Sequence, residues 1–232
     1  MSTIDRPLQS LRARLAALSW VQRSLLLGLG LFFLWGYWHV PPDSLTLRAA
    51  RDAVVFVFFP GVLAITHGRD LGWRVDRRAL RNTVLLAAFV LPFYLVGSSL
   101  PSVRAYYPMW ETSTALGEFL PYALQQLVVV IAAETYFRGL LCVGVREVGF
   151  KSVFISPVLY ALHHVGKPPI ELVLSGPTDV LFGAADYKST SLLPSIVAHG
   201  LGLSFLDWLV LHEPVIPAHT VLAWLSWLPI PL

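Results

Sequence analysis

Long apolar runs separated by short polar or basic turns dominate the chain from about residue 24 to the C-terminus. A helix needs about 20 mostly apolar residues to cross the hydrocarbon core of a bilayer. The pattern predicts an all-α fold: a polytopic membrane helical bundle with about eight transmembrane spans. The predicted spans lie at about 24–40, 52–66, 80–100, 115–145, 151–165, 170–187, 191–211 and 215–231.

The fifth and sixth predicted spans are the weakest because prolines interrupt them at Pro157, Pro168, Pro169 and the Gly176-Pro177 step. Non-helical backbone at membrane depth is tolerated only where protein or a water-filled cavity covers it. We therefore expect these two segments to lie around an internal site.

The N-terminal segment has a different pattern, with leucines at helical spacing and arginines between them over about residues 6–20. This pattern predicts an amphipathic helix at the membrane surface, within an N-terminal segment 1–23. Its arginines also argue against a cleaved signal peptide. No polar block long enough to fold separately follows, so residues 1–232 are expected to form a single membrane domain.

Composition supports a membrane location, since 56% of the 232 residues are hydrophobic and only 13% are charged. A soluble domain could not cover that much apolar side chain, so we expect an integral membrane protein with the lipid bilayer as its surroundings. The only cysteine, Cys142, is in an apolar context, which excludes an internal disulfide. We expect it to have a packing role.

The formal net charge of +3 does not indicate a nucleic-acid partner, because the basic residues are scattered through short loops. If all eight spans cross and the N-terminus is cytoplasmic, twelve Lys and Arg residues lie inside and four lie outside. This distribution follows the positive-inside rule. It predicts that both termini are cytoplasmic.

Two charged residues, Glu134 and Arg138, lie inside the fourth predicted span. At positions i and i+4 they share one helical face, which we expect to point into the protein interior or a wet cavity. Ionisable groups at membrane depth are functional candidates. The alternative is a structural ion pair joining two turns of helix, although such pairs seldom stabilise more than apolar packing would.

Histidines are the other candidates for chemistry. His163 and His164 are adjacent and therefore about 100° apart around a helix, so at most one should face a site. His199 is in the middle of the seventh span, where its alternative role is a hydrogen bond to a neighbouring helix. Asp207, near the end of that span, is predicted to be interfacial. No role is assigned to His39, His67, His212 or His219.

One carboxylate and two histidines on three helices could serve general acid–base chemistry or bind a metal, and their spacing does not choose between these. Hydrolysis without a metal needs a carboxylate that takes a proton from water, and donors for the developing oxyanion. A zinc site needs three protein ligands and an open position, which Glu134, His164 and His199 could supply. We favour the reading without a metal or other cofactor.

The order of motifs resembles the CAAX-protease and bacteriocin-processing family of glutamic intramembrane endopeptidases, over a core of residues 115–211. The family's Glu-Glu-x-x-x-Arg motif is similar to the segment from Ala133 to Gly139. Its Phe-x-x-x-His motif is similar to Tyr160–His164, with Tyr160 in a supporting position. The glycine turn and tyrosine–basic step that precede the last motif are similar to residues 181–194, and the last motif, His-x-x-x-Asn, begins at His199.

The chain departs from the family pattern at two positions. Ala133 stands where the family has its first glutamate, which is held to activate water, and Leu203 stands in place of the last motif's asparagine. Three explanations are open for Ala133: an engineered inactivating change, natural divergence to an inactive peptide-binding relative, or a variant site in which Glu134 is the base. The first is favoured, because Glu134, Arg138, His164 and His199 are all retained.

The resemblance implies an intramembrane endopeptidase of glutamic type that cleaves membrane-anchored proteins or peptides by activating water in a bacterial inner membrane. In the family's arrangement a glutamate at 133 is the base, and His164 and His199 orient the water or stabilise the oxyanion. Glu134 and Arg138 then hold the helix geometry. As written, the chain should have little or no activity. The alternative is a non-catalytic binding or immunity protein, or a small transporter that uses the Glu134–Arg138 pair.

Overall fold

A computed structural model describes residue 13 and residues 16–232, and all the regular secondary structure in this part of the chain is helical. The predicted all-α class is therefore confirmed. The amphipathic helix predicted over residues 6–20 lies almost entirely outside the described residues.

Nine helices are assigned within the described residues, and a 3₁₀ segment at Arg146–Phe154 joins the fifth to the sixth. They are α1 (Trp20–Tyr37), α2 (Leu45–Thr66), α3 (Arg77–Gly97), α4 (Pro101–Arg104), α5 (Leu116–Val143), α6 (Pro157–His163), α7 (Pro169–Ser189), α8 (Leu193–Val210) and α9 (Ala218–Leu225).

Four of these helices, α2, α3, α5 and α8, are long and apolar enough to cross a membrane. The predicted count of eight spans is not confirmed. The regions predicted as the fifth and eighth spans contain the short helices α6 and α9, of seven and eight residues. Prolines explain the short lengths, because a proline ring clashes with the preceding turn and lacks an N–H donor. Pro157 opens α6, and Pro217 immediately precedes α9.

Helix α5 lies at the centre of the bundle. In its most apolar stretch 78% of the residues are buried, whereas the corresponding value for α3 is 17%. Its first part, Leu116–Glu134, is α-helical, and its second part, Thr135–Val143, has the wider i→i+5 hydrogen-bonding pattern of a π-helix. Every side chain of that second part is buried. Such wide turns are frequent at functional sites.

Polar side chains fix the starts of several helices. Ser19 and Gln22 form a reciprocal capping box at the start of α1. At the start of α3, the Asp76 carboxylate accepts a hydrogen bond from the Ala79 N–H at 2.8 Å. This hydrogen bond lowers the pKa of Asp76.

The loops at the two ends of the bundle are joined by hydrogen bonds. At one end the Leu192 N–H donates to the Gly72 carbonyl at 2.9 Å, which ties the start of α8 to the loop before α3. At the other end Arg104 donates to the Val210 carbonyl at 2.8 Å. Helices α3 and α8 therefore run in the same direction, with the start of each at the same end of the bundle.

Candidate functional site

Glu134 and Arg138 lie at the point where α5 changes from α- to π-helical geometry, and both are fully buried. Arg138 Nε is 3.1 Å from Glu134 Oε2. The Arg138 guanidinium also lies 3.2 Å from Asp179 Oδ1 on α7. The Ser156 hydroxyl donates to the second oxygen of Asp179 at 2.6 Å. One buried cation thus joins two buried carboxylates from different helices.

Aromatic rings surround the Arg138 guanidinium. Its central carbon is 4.1 Å from the centre of the Tyr160 ring and 5.5 Å from that of Phe182. The contacts to the carboxylates are within ion-pair distance but are not aligned as hydrogen bonds. The cluster is therefore held by charge attraction within an aromatic shell, to which cation–π attraction contributes. Tyr160, predicted to be a supporting residue, lies directly against the cation.

His199 on α8 contacts the same cluster. Its Nδ1 atom is 2.6 Å from Glu134 Oε1, and 16% of its side chain is exposed. Because a carboxylate is an acceptor only, Nδ1 carries the proton and Nε2 of the neutral ring is an acceptor.

His164 and His163 diverge at the C-terminal end of α6, as their adjacency predicts. The His164 Nδ1–H donates to the Tyr160 carbonyl at 2.8 Å, so its free Nε2 is an acceptor. His163 instead lies against Trp35 with ring centres 4.5 Å apart, and Arg48 is 3.4 Å from its Nε2. His164 adjoins the Glu134–Arg138 cluster through Tyr160, whose ring lies against both the His164 ring and the Arg138 guanidinium.

Ala133 is 6% exposed and belongs to an apolar cluster that includes Tyr136, Phe137 and Tyr160. The Tyr160 ring lies 4.3 Å from the ring of His164, centre to centre. Ala133 and Glu134 are adjacent residues of α5, so their side chains leave the helix about 100° apart, and that of Glu134 reaches His199 and Arg138.

The sequence predicts an interfacial position for Asp207, but in the structure its side chain is fully buried within the bundle. Its Oδ2 accepts hydrogen bonds from the Tyr122 hydroxyl at 2.7 Å and from the Gln126 amide at 2.6 Å. The reason is that the C-terminal half of α8 packs against the N-terminal half of α5, so both halves of α8 have an interior face. Leu203, in the position of the family's asparagine, is also buried among apolar side chains.

Sequence reasoning missed two acidic residues of α7 that take part in these contacts, Asp179 and Glu171. They are eight residues apart, which places them on roughly the same helical face. That spacing is a usable signal of a shared polar face on α7.

The zinc alternative required Glu134, His164 and His199 to converge as ligands. Within the described residues, no three His, Cys, Asp or Glu side chains are arranged to hold a metal ion. The observed contact is the pair formed by Glu134 and His199, and His164 does not join it as a third ligand.

Comparison with known proteins gives one match. No curated protein and no solved structure matches the chain. Residues 115–202 match the family model of the type II CAAX prenyl endopeptidase Rce1-like proteins, and this range contains Glu134, Arg138, His164 and His199. Together with the four apolar helices, the match supports an integral membrane protein and implies a protease. The resemblance predicted from the motifs is thus confirmed, and residues 115–202 carry the pattern of the Rce1-like CAAX prenyl endopeptidase family.

Proposed function

We propose that this protein is an intramembrane endopeptidase that hydrolyses peptide bonds in membrane-anchored proteins or peptides. The observation that carries the proposal is the contact of His199 with the buried acid, with the His164 imidazole adjoining the same cluster through Tyr160. His164 and His199 come from separate helices, and each has its Nδ1 atom held by an acceptor, at 2.8 Å and 2.6 Å. Each ring is therefore in the tautomer whose Nε2 is an acceptor, open to a water molecule or a substrate atom at His199 and 3.6 Å from Glu171 Oε1 at His164.

The proposed reaction is attack of water on the scissile carbonyl. A base takes one proton from water while the water oxygen forms a bond to the carbonyl carbon, and the carbonyl oxygen becomes an oxyanion. The C–N bond then breaks as the proton passes to the leaving amine. In a form with glutamate at position 133 that carboxylate is the base, and His164 and His199 orient the water or stabilise the oxyanion.

Glu134 has a positioning role in this scheme. Its two carboxylate oxygens are engaged, one by His199 and the other by Arg138. A carboxylate that is already committed to two partners is a weak acceptor for a further proton. We therefore assign Glu134 to orienting His199 and Arg138 to holding α5 against α7, and we expect the chain with Ala133 to cleave slowly.

The proposed location is a bacterial inner membrane with both termini in the cytoplasm. The basic loop before α3 and the start of α8 lie at the same end of the bundle, joined by the hydrogen bond between Leu192 and Gly72. Positive-inside asymmetry then assigns this end to the cytoplasm. A site buried among helices at this depth favours substrates that are already anchored in the bilayer.

Cleavage by the purified protein in liposomes tests the proposal. The substrates are single-span and lipid-anchored peptides with a reporter on each side of the predicted cleavage region. General-base catalysis contributes about 10²–10⁴-fold, so we expect Ala133→Glu to raise the rate by up to that amount. His199→Ala should abolish the gain, and a metal chelator should leave it unchanged. Absence of cleavage by both the original chain and Ala133→Glu would contradict the proposal.

A non-catalytic peptide-binding role is the alternative, and the specific observation that favours it is the alanine at position 133. This binding role predicts that an anchored peptide binds the protein but that Ala133→Glu produces no hydrolysis. The transport alternative predicts proton flux through liposomes that depends on Glu134, which a pH-sensitive dye inside the vesicles would detect.

A further inference from the structure

A carboxylate outside the Glu134–Arg138–Asp179 cluster lies next to His164, on the first turn of α7. Glu171 Oε1 is 3.6 Å from His164 Nε2. The same oxygen accepts a hydrogen bond from Lys167 at 2.6 Å, and Oε2 accepts one from the Tyr107 hydroxyl at 2.7 Å. The Glu171 side chain is 26% exposed and that of Lys167 is 13% exposed. This carboxylate is therefore held on three sides in a partly buried position.

The contact from Tyr107 distinguishes this arrangement from an ordinary helix-surface ion pair. Lys167 is four residues from Glu171, but Tyr107 comes from the segment after α4, 64 residues earlier in the chain. Tyr107 is buried, and burial together with the negative charge of Glu171 holds the pKa of its hydroxyl well above the usual value. Tyr107 therefore remains a hydrogen-bond donor to the Glu171 carboxylate.

His164 needs a negative charge if it is to accept a proton. Its Nδ1–H is occupied by the Tyr160 carbonyl, so an added proton must go to Nε2, the atom that faces Glu171. Burial lowers the pKa of His164, and the charge of Lys167 lowers it further. The rings of Tyr160 and His163 lie against that of His164, and the charges of His199 and Arg138 lower the pKa of His164 as well.

Of the carboxylates in the described part of the chain, Glu171 is the one in ion-pair contact with His164. The family's first motif would supply a carboxylate from position 133, where this chain has alanine. Position 133 also packs in the cluster that contains Tyr160, against which His164 lies.

We propose that Glu171 is a positioning residue that stabilises protonated His164 and so replaces, from α7, the charge that Ala133 does not provide. The proposal rests on the proposed function. In the step concerned, a proton leaves water for His164 Nε2 as the water oxygen bonds to the scissile carbonyl carbon. The same proton later passes to the leaving amine when the C–N bond breaks. Glu171 attracts the imidazolium throughout and is not itself protonated.

The first test follows His164 directly and needs no substrate. The protein is labelled with ¹⁵N-histidine in detergent micelles, the His164 signals are identified by their loss in His164→Gln, and their titration is followed by NMR. An opposite charge at this distance shifts a pKa by about one unit or more, so Glu171→Gln should lower the pKa of His164 by at least that amount. Lys167→Met should raise it.

The matched control is Glu147→Gln, because Glu147 is 42% exposed and paired with Arg69 at 3.1 Å. It should leave the His164 titration unchanged. An identical His164 titration in the original protein and in Glu171→Gln would overturn the proposal, whether or not cleavage has been observed.

The second test uses cleavage. Glu171→Gln should lower kcat of the original chain by about tenfold or more with little change in KM, and adding Ala133→Glu should restore it. A purely structural role for Glu171 would not be rescued from position 133. If the original chain cleaves and Glu171→Gln keeps its full kcat, the role of Glu171 is wrong and the proposed function stands. If no form cleaves, the proposed function fails, and the titration alone decides the role of Glu171.

Discussion

Replacing Arg138 with methionine should strongly destabilise the bundle. Arg138 lies between Glu134 and Asp179, whose side chains are 0% and 1% exposed, so its removal leaves two buried carboxylates without their cation. Removing one partner from a buried ion pair costs about 3–5 kcal/mol. Loss of the cation–π contact with Tyr160 adds about 0.5–2 kcal/mol.

The size of the chain sets the expected change in melting temperature. For proteins of 150–250 residues, 1 kcal/mol corresponds to about 2–4 °C. A loss of about 4 kcal/mol therefore lowers Tm by roughly 8–16 °C in a fixed detergent. Arg138→Lys keeps the charge but loses the planar fork, so its Tm should lie between those of the original protein and Arg138→Met.

The chain contains a natural reporter for this assay. Cys142 is its only cysteine and is fully buried one turn after Arg138. A dye that fluoresces on reaction with a thiol therefore reports the unfolding of this part of α5 as the temperature rises.

A double variant separates charge from packing. Arg138→Met with Asp179→Asn should be more stable than Arg138→Met alone, because one of the uncompensated charges is gone. A Tm for Arg138→Met within about 2 °C of the original, or a double variant less stable than the single, would refute the view that Arg138 is held by these two carboxylates.

Two further predictions concern packing and orientation. A Cβ at Gly202 would overlap the ring of Tyr94, so Gly202→Ala should lower Tm by an amount that corresponds to about 1–3 kcal/mol. The control is Gly30→Ala, whose Cβ would meet nothing within 4 Å and which should leave Tm unchanged or raise it. Equal effects of the two variants in the same thermal assay would contradict this packing. If the proposed orientation holds, an impermeant thiol reagent applied to intact cells should label Glu213→Cys and spare Arg78→Cys; the reverse labelling would show the opposite orientation.

The sequence was sufficient for the fold class and for the position of the central helix. Apolar runs of membrane-spanning length exist whatever the packing, so they predict helices directly. The run that contains Glu134 became α5, within one or two residues of the predicted limits at each end. The span count could not be predicted in the same way. Prolines at 157 and 217 shorten α6 and α9, and composition averaged over a window does not register them.

The candidate site was predictable in its members but not in its contacts. The spacing of Glu134 and Arg138 indicates a shared face, and their ion pair follows from it. The contact between Glu134 and His199 joins residues 65 positions apart and depends on how α8 packs against α5, which no local pattern encodes. Asp179 and Glu171 were missed for a related reason, since their partners lie on other segments of the chain.

The most direct measurement of the central claim, that His164 and His199 form a hydrolytic site with the acid-bearing helix, is mass spectrometry of cleavage products formed in H₂¹⁸O. Ala133→Glu in liposomes should give a new C-terminus that carries one ¹⁸O atom in a substrate cut near its membrane anchor. The label should disappear when His164 or His199 is also changed to alanine. Labelled product that persists in both histidine variants, or no product from any form, would contradict the account.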